Sequence, residues 1–350
     1  MNMELPMCLL DWIDKNKLNW SYLSSNPCAE AIALLKEYPL KIDWTNLSSN
    51  INAIQMLKAN PLKIDWTNLS SNINAIQILK ENPLKINWNN LSSNRNAIAL
   101  LKENPLKINW NILTNNPCAI ALLKENPDKI DWDYLSQNTN AEAIALLKEN
   151  PLKINWAYLS KNPCAEAIAL LKENPRKIDW WWLSCNPNAI DLLEDNLDEI
   201  DWSNLSWNPC AIELLQEYPN KIYWFALSNN PNAIDLLKAN PLKIHWWWLS
   251  SNPNAIDLLK ENPLKIDWSE FSSNRNAIAL LKENPLKIDW TQLSQNPSIF
   301  TYDYEKMREN MLLFKEDLMK ERFHPRNLYK FSSWGHSGGI DDDDDDEFHL

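Results

Sequence analysis

Glycine is almost absent from this 350-residue chain, and its three copies, Gly335, Gly338 and Gly339, all lie in the last sixteen residues. With none before residue 335, the chain offers neither a phosphate-cradling GxxxxGKS loop nor a GxGxxG turn. Histidine is nearly as scarce. His324, His336 and His349 lie near the C-terminus, which leaves His245 alone in the body. That argues against a histidine zinc site and against Ser-His-Asp or Cys-His triads. No apolar run approaches the roughly 18 residues that cross a bilayer, and no basic stretch leads into an apolar one at the N-terminus, so neither a membrane span nor a secretory signal is expected.

Positive charge is also in deficit. The formal net charge is -12, and Asp341 to Asp346 with Glu347 supply seven negatives in one run. The rest is acidic and mixed in sign, unlike the clustered basic surface of a nucleic-acid binder. Cys8, Cys28, Cys118, Cys164, Cys185 and Cys210 make up the cysteines. Four of them share one motif position in a repeat, too far apart for the roughly 7 Å Cα separation that a disulfide tolerates. Reduced thiols, as small buried or half-buried hydrophobes, are expected.

What is abundant is tryptophan, with twenty copies, and proline, with twenty-one. Thirteen tryptophans, Trp20, Trp44, Trp66, Trp88, Trp110, Trp132, Trp156, Trp180, Trp202, Trp224, Trp246, Trp268 and Trp290, are followed three residues later by Leu or, once, Phe. They recur every 22 residues, or every 24 where an extra Ala-Glu enters at 29–30, 141–142 and 165–166. The unit reads D-W-x-x-L-S-x-N-P-x-A-I-x-L-L-K-E-N-P-L-K-I. A fixed period of this length marks stacked supersecondary units.

Each unit reads as two short helices. Asp65 is a good N-cap for the first, and Trp66 and Leu69 share a face. Asn72 closes this helix and, with Pro in copies such as Asn252-Pro253, caps the second. In the second helix Ala277, Ile278, Leu280 and Leu281 form one apolar stripe. Asn-Pro, as at Asn284-Pro285, closes it, with the Asn in the left-handed conformation. A leucine-rich repeat fits less well, since Ser269 and Asn276 would fall where its strand needs apolar residues. The pattern predicts an all-α solenoid of thirteen two-helix repeats, a rod or superhelix about 100 Å long at roughly 8–10 Å per packed helix. The segments are an N-terminal cap at 1–19, repeats at 20–297, a helical cap at 298–334 and a disordered acidic tail at 335–350. Tyr304, Met307, Met311, Phe314 and Leu318 trace the amphipathic helix of the second cap.

These units resemble the short-helical-repeat proteins of giant viruses, the nucleocytoplasmic large DNA viruses. Leu9-Leu10-Asp11-Trp12-Ile13 looks like their N-terminal cap. Asn296-Pro297-Ser298-Ile299-Phe300, followed by His324-Pro325-Arg326, is similar to their C-terminal one. The resemblance covers about residues 8 to 334. It implies a viral product with a helical repeat fold, placed in the host cytoplasm or the virion, and transfers no functional residue.

No buried acid pair suited to acid–base catalysis is visible. No catalytic, cofactor or metal residue is assigned, and no small-molecule substrate is expected. The motif tryptophans read as core, and the lysines of P-x-K-I as a solvated face. The candidates for partner binding are aromatics at positions that are polar elsewhere: Trp181, Trp182, Trp207, Phe225, Trp247 and Trp248. Trp181, Trp207, Phe225 and Trp247 fall in four consecutive repeats and, if their helices align, form a stripe on one face open to a protein partner. The alternative is that these side chains pack between neighbouring repeats. The function expected is that of a non-enzymatic scaffold for protein–protein interaction. The alternatives are a self-associating component of a virion or viral factory and, against the charge, a nucleic-acid-binding solenoid.

Overall fold

The computed structural model describes residues 7–323. His324-Pro325-Arg326 and the acidic tail lie outside them. The described chain divides into a repeat body, residues 9–299, and a smaller unit drawn from both ends of the chain. The body is an all-α solenoid of thirteen repeats, numbered here by their motif tryptophans from Trp20 to Trp290.

Repeat 3 shows the local logic. Its first helix, Trp66–Ser71, starts where the Asp65 carboxylate accepts the backbone N–H of Asn68 at 2.9 Å. Leu69 and Ser70 are the buried residues of this helix, while Trp66 is half-buried. The second helix, Ile76–Glu81, starts four residues after Asn72. Asn72 is therefore not its N-cap, although its side-chain oxygen does hold the intervening turn by accepting the N–H of Asn74 at 3.0 Å. In the 24-residue units the added Ala-Glu extends this helix to nine residues, as in Ala141–Glu149. The Asn before Pro is not left-handed either, since Asn82 has φ -132°. Its amide instead donates to the Ile78 carbonyl at 2.9 Å, closing the helix through its side chain. A third element follows that the two-helix reading omitted, a 3-10 turn at Pro83–Lys85.

Neighbouring repeats are joined by polar groups as well as by leucines. Ser48 donates its hydroxyl to the Trp44 carbonyl at 2.7 Å and accepts the N–H of Asp65, from the next repeat, at 2.9 Å. The buried Asn72 amide donates back to the carbonyls of Ser48 and Asn50, at 3.2 and 3.0 Å. Buried serine (once threonine) and asparagine recur in this way from Ser24 and Asn26 to Ser294 and Asn296. Around them Leu69, Ala75 and Leu79 and their equivalents are fully buried. Buried polar groups are tolerated because they are paired, and the spine satisfies its members in register.

The same register joins the last repeat to the first. The N–H of Asn19 donates to Ser294 Oγ at 2.8 Å, and Ser294 Oγ donates to the Trp290 carbonyl. Asn26 donates to the Ser294 carbonyl at 3.3 Å. Lys17 lies over the Trp290 ring at 5.2 Å, as Lys85 lies over Trp66 at 4.6 Å. Repeat 1 thus follows repeat 13 as any repeat follows its predecessor, and the body closes on itself instead of extending as an open rod. The cause is curvature. First helices of adjacent repeats pack directly in almost every step, whereas second helices approach as closely only between 141–149 and 165–173. Each step therefore turns towards the first-helix side, and thirteen steps sharing one turn need about 28° each.

Strand Met7–Leu9, whose first two residues belong to the smaller unit, pairs with Phe300–Tyr302, and a helix spans Tyr304–Phe323. Its Tyr304 and Met311 are exposed, so the anticipated stripe is not wholly buried. Among the described residues no helix is long and apolar enough to cross a membrane.

Candidate functional site

The Lys of P-x-K-I is not simply a solvated ladder. Lys85, Lys153, Lys265 and Lys287 place Nζ at 4.4–4.6 Å from the ring centres of Trp66, Trp132, Trp246 and Trp268, each the motif Trp that opens the lysine's own repeat. The motif tryptophans are half-buried lids over the leucine core, and a lysine seals several of them. Such cation–π contacts contribute about 0.5–1 kcal/mol at exposed sites.

The cysteines divide by exposure. Cys28, Cys164 and Cys185 are half-buried, while Cys118 and Cys210 are exposed, against the expectation that this position is at least half-covered. Desolvation by burial pushes the thiols of Cys28, Cys164 and Cys185 above their ordinary value, which keeps them protonated and poorly nucleophilic. Among the described residues, no group of three His, Cys, Asp or Glu is arranged to hold a metal ion.

The six aromatics divide by position. Trp181, Phe225 and Trp247, directly after the motif Trp, are 51, 39 and 42% exposed. Trp182, Trp207 and Trp248 are half-buried. The residue directly after the motif Trp thus projects, while Trp182, Trp207 and Trp248 pack against side chains of neighbouring repeats. Trp207 of repeat 9, Phe225 of repeat 10 and Trp248 of repeat 11 meet edge to face, with ring centres 5.2–6.4 Å apart. Trp247 stands perpendicular to Trp248 at 4.5 Å. Edge-to-face packing is the arrangement that ring quadrupoles favour. Trp181 and Trp182 form a separate perpendicular pair at 4.4 Å, with Lys161 over Trp182.

Two further residues complete the patch. His245 lies 4.8 Å from Phe225, and Tyr223 lies 5.9 Å from it. Both occupy the N-cap position, which is Asp or Asn in the other eleven repeats, and neither makes a side-chain cap bond. Losing such a cap costs about 1 kcal/mol. Trp248 Nε1 is buried without a hydrogen-bond partner, at a cost of about 1–3 kcal/mol. Three local rules of stability are thus broken in two adjacent repeats, all to gather aromatic rings. The two missing caps were the sequence signal for Tyr223 and His245. Tyr134 and Tyr158, exposed two residues after their motif Trp, carry the aromatic surface back to repeats 6 and 7.

Carboxylates border the patch. Asn204, two residues after Trp202, donates to the carbonyl of Trp181 in the preceding repeat at 3.0 Å. Glu270 holds the equivalent place beside Trp247. Burial, with Asp267 adding repulsion, raises the Glu270 carboxyl above its ordinary value. Asp179 and Asp201 cap the helices of Trp181 and Trp207. Compared with known proteins, the chain matches no family model, no curated protein and no solved structure.

Proposed function

We propose that this protein is a non-enzymatic interaction scaffold whose binding surface is the aromatic arc of repeats 8 to 11. The observation that carries the reading is the concentration of lost caps, an orphaned indole N–H and exposed rings in one place. Proteins break local stability rules mainly where function requires it, and exposed tryptophan is a common anchor of protein interfaces. The likeness of its repeats to those of giant-virus proteins supports a partner, host or viral, met in the infected cell. Trp247→Ser tests the reading. It should leave the melting temperature almost unchanged while abolishing capture of the partner from infected cells. Leu205→Ala, at a fully buried position, should cost about 2–5 kcal/mol. Comparable destabilisation by both would make Trp247 a core residue and end the proposal.

A second reading, self-association into a larger assembly, is favoured by one observation. Leu40, Leu62, Leu84, Leu106, Leu152, Leu242, Leu264 and Leu286, in the Pro-Leu-Lys turns, are 95–100% exposed. Since repeat 13 adjoins repeat 1, seven of them fall in one arc, from Leu242 through the junction to Leu106. Changing Leu62, Leu84 and Leu106 to Gln should convert an oligomer to a monomer in analytical ultracentrifugation. A wild-type chain that is monomeric at all concentrations would remove this reading.

A further inference from the structure

We propose that the partner presents a positively charged polypeptide segment, with arginine or lysine side chains seated on the exposed faces of Trp181 and Trp247. This deepens the scaffold reading and rests on it.

The molecule itself shows what its indoles accept. Lys161, Lys265 and Lys287 sit 4.3–4.6 Å from the ring centres of Trp182, Trp246 and Trp268. Each of these tryptophans is covered by a cation from its own chain. Among the described residues no lysine or arginine lies over Trp181 or Trp247, the two most exposed indoles. Their faces carry the same negative quadrupole and stand open to a cation from outside.

Charge points the same way. Glu270 takes the place beside Trp247, and Asp267 caps its helix. Asp179 and Asp201 flank Trp181 through their caps. The two lysines of this stretch that touch rings, Lys161 and Lys265, are already engaged on Trp182 and Trp246. Asp179, Asp201 and Asp267 accept their backbone N–H groups through Oδ1, and among the described residues neither they nor Glu270 form an ion pair, on a chain whose net charge is -12. A polyanion such as single-stranded nucleic acid could also stack on the rings, but it would meet this acidic border unfavourably.

The test uses the full-length protein and a decapeptide of alternating arginine and glycine, with binding followed by calorimetry. The peptide should bind, and should still bind when Asp341 to Asp346 are all replaced by Asn, which removes the tail's charge. Trp247→Ser and Glu270→Gln should each weaken binding about tenfold or more, a change of roughly 1.4 kcal/mol. Thr67→Ser, at the position of repeat 3 equivalent to Trp247, should leave it unchanged, and circular dichroism should show all variants folded. Absence of binding overturns the inference, as does binding indifferent to Trp247→Ser, or oligothymidylate bound in its place with the same dependence. If an infected-cell partner is lost with Trp247→Ser while the peptide never binds, the scaffold reading survives and the cationic partner does not.

Discussion

Asn208 ties the backbone of two adjacent repeats together through a single side chain. Its amide donates to the carbonyls of Ser184 and Asn186, at 3.2 and 3.0 Å, and its oxygen accepts the N–H of Cys210. All of this happens at 1% exposure. Asn208→Ala would strand two interior carbonyls and should cost about 2 kcal/mol or more in urea denaturation. Asn204→Ala removes one amide bond at an exposed site and should cost less than about 1 kcal/mol. Equal costs would mean that the polar spine does not hold the repeats together. Nothing in the sequence distinguishes these two asparagines by type. A polar residue between two helices reads as a cap, and its burial is decided only when the neighbouring repeat covers it.

At the scale of the element, the first helix was legible almost completely. Asp or Asn before Trp, with Leu three residues on, gives its start, its face and its core contact. The second helix was legible in type but not in extent, because Asn-Pro satisfied a capping rule while the backbone used the Asn for a turn. The 3-10 turn was missed because Pro-Leu-Lys, with its Leu fully exposed, has no buried period to read. The broken caps are the element-scale feature closest to function. Tyr223 keeps the extended backbone of an N-cap, with φ -93° and ψ 90°, so an aspartate there should cap without strain. Tyr223→Asp should raise stability by about 0.5–2 kcal/mol in thermal unfolding while weakening partner capture. No gain in stability would show that the aromatic packing of Tyr223 with Phe225 already offsets the missing cap.

At the scale of the whole repeat body, spacing fixed the number and kind of repeats but not their sum. A period of 22 residues, or 24 where Ala-Glu is added, gives thirteen repeats of one kind. The turn per step depends on how closely first helices pack relative to second helices, which no single repeat reveals. Closure follows from that difference and places repeat 13 against repeat 1, so that each end of the array covers the other. The junction has fewer polar ties than the step into repeat 3. Asn26 reaches one carbonyl where Asn72 reaches two, and Cys28, in place of the asparagine found at Asn74, meets the Pro297 carbonyl at 3.6 Å. Closure is the central claim, and a distance measurement tests it. Ser25, Ser49 and Gln295 occupy the same exposed position in repeats 1, 2 and 13. Spin labels placed pairwise at these sites, with the six native cysteines changed to serine, calibrate the measurement internally. A Ser25–Gln295 distance comparable to the Ser25–Ser49 distance is predicted, and a separation approaching the roughly 100 Å of an open stack would contradict it.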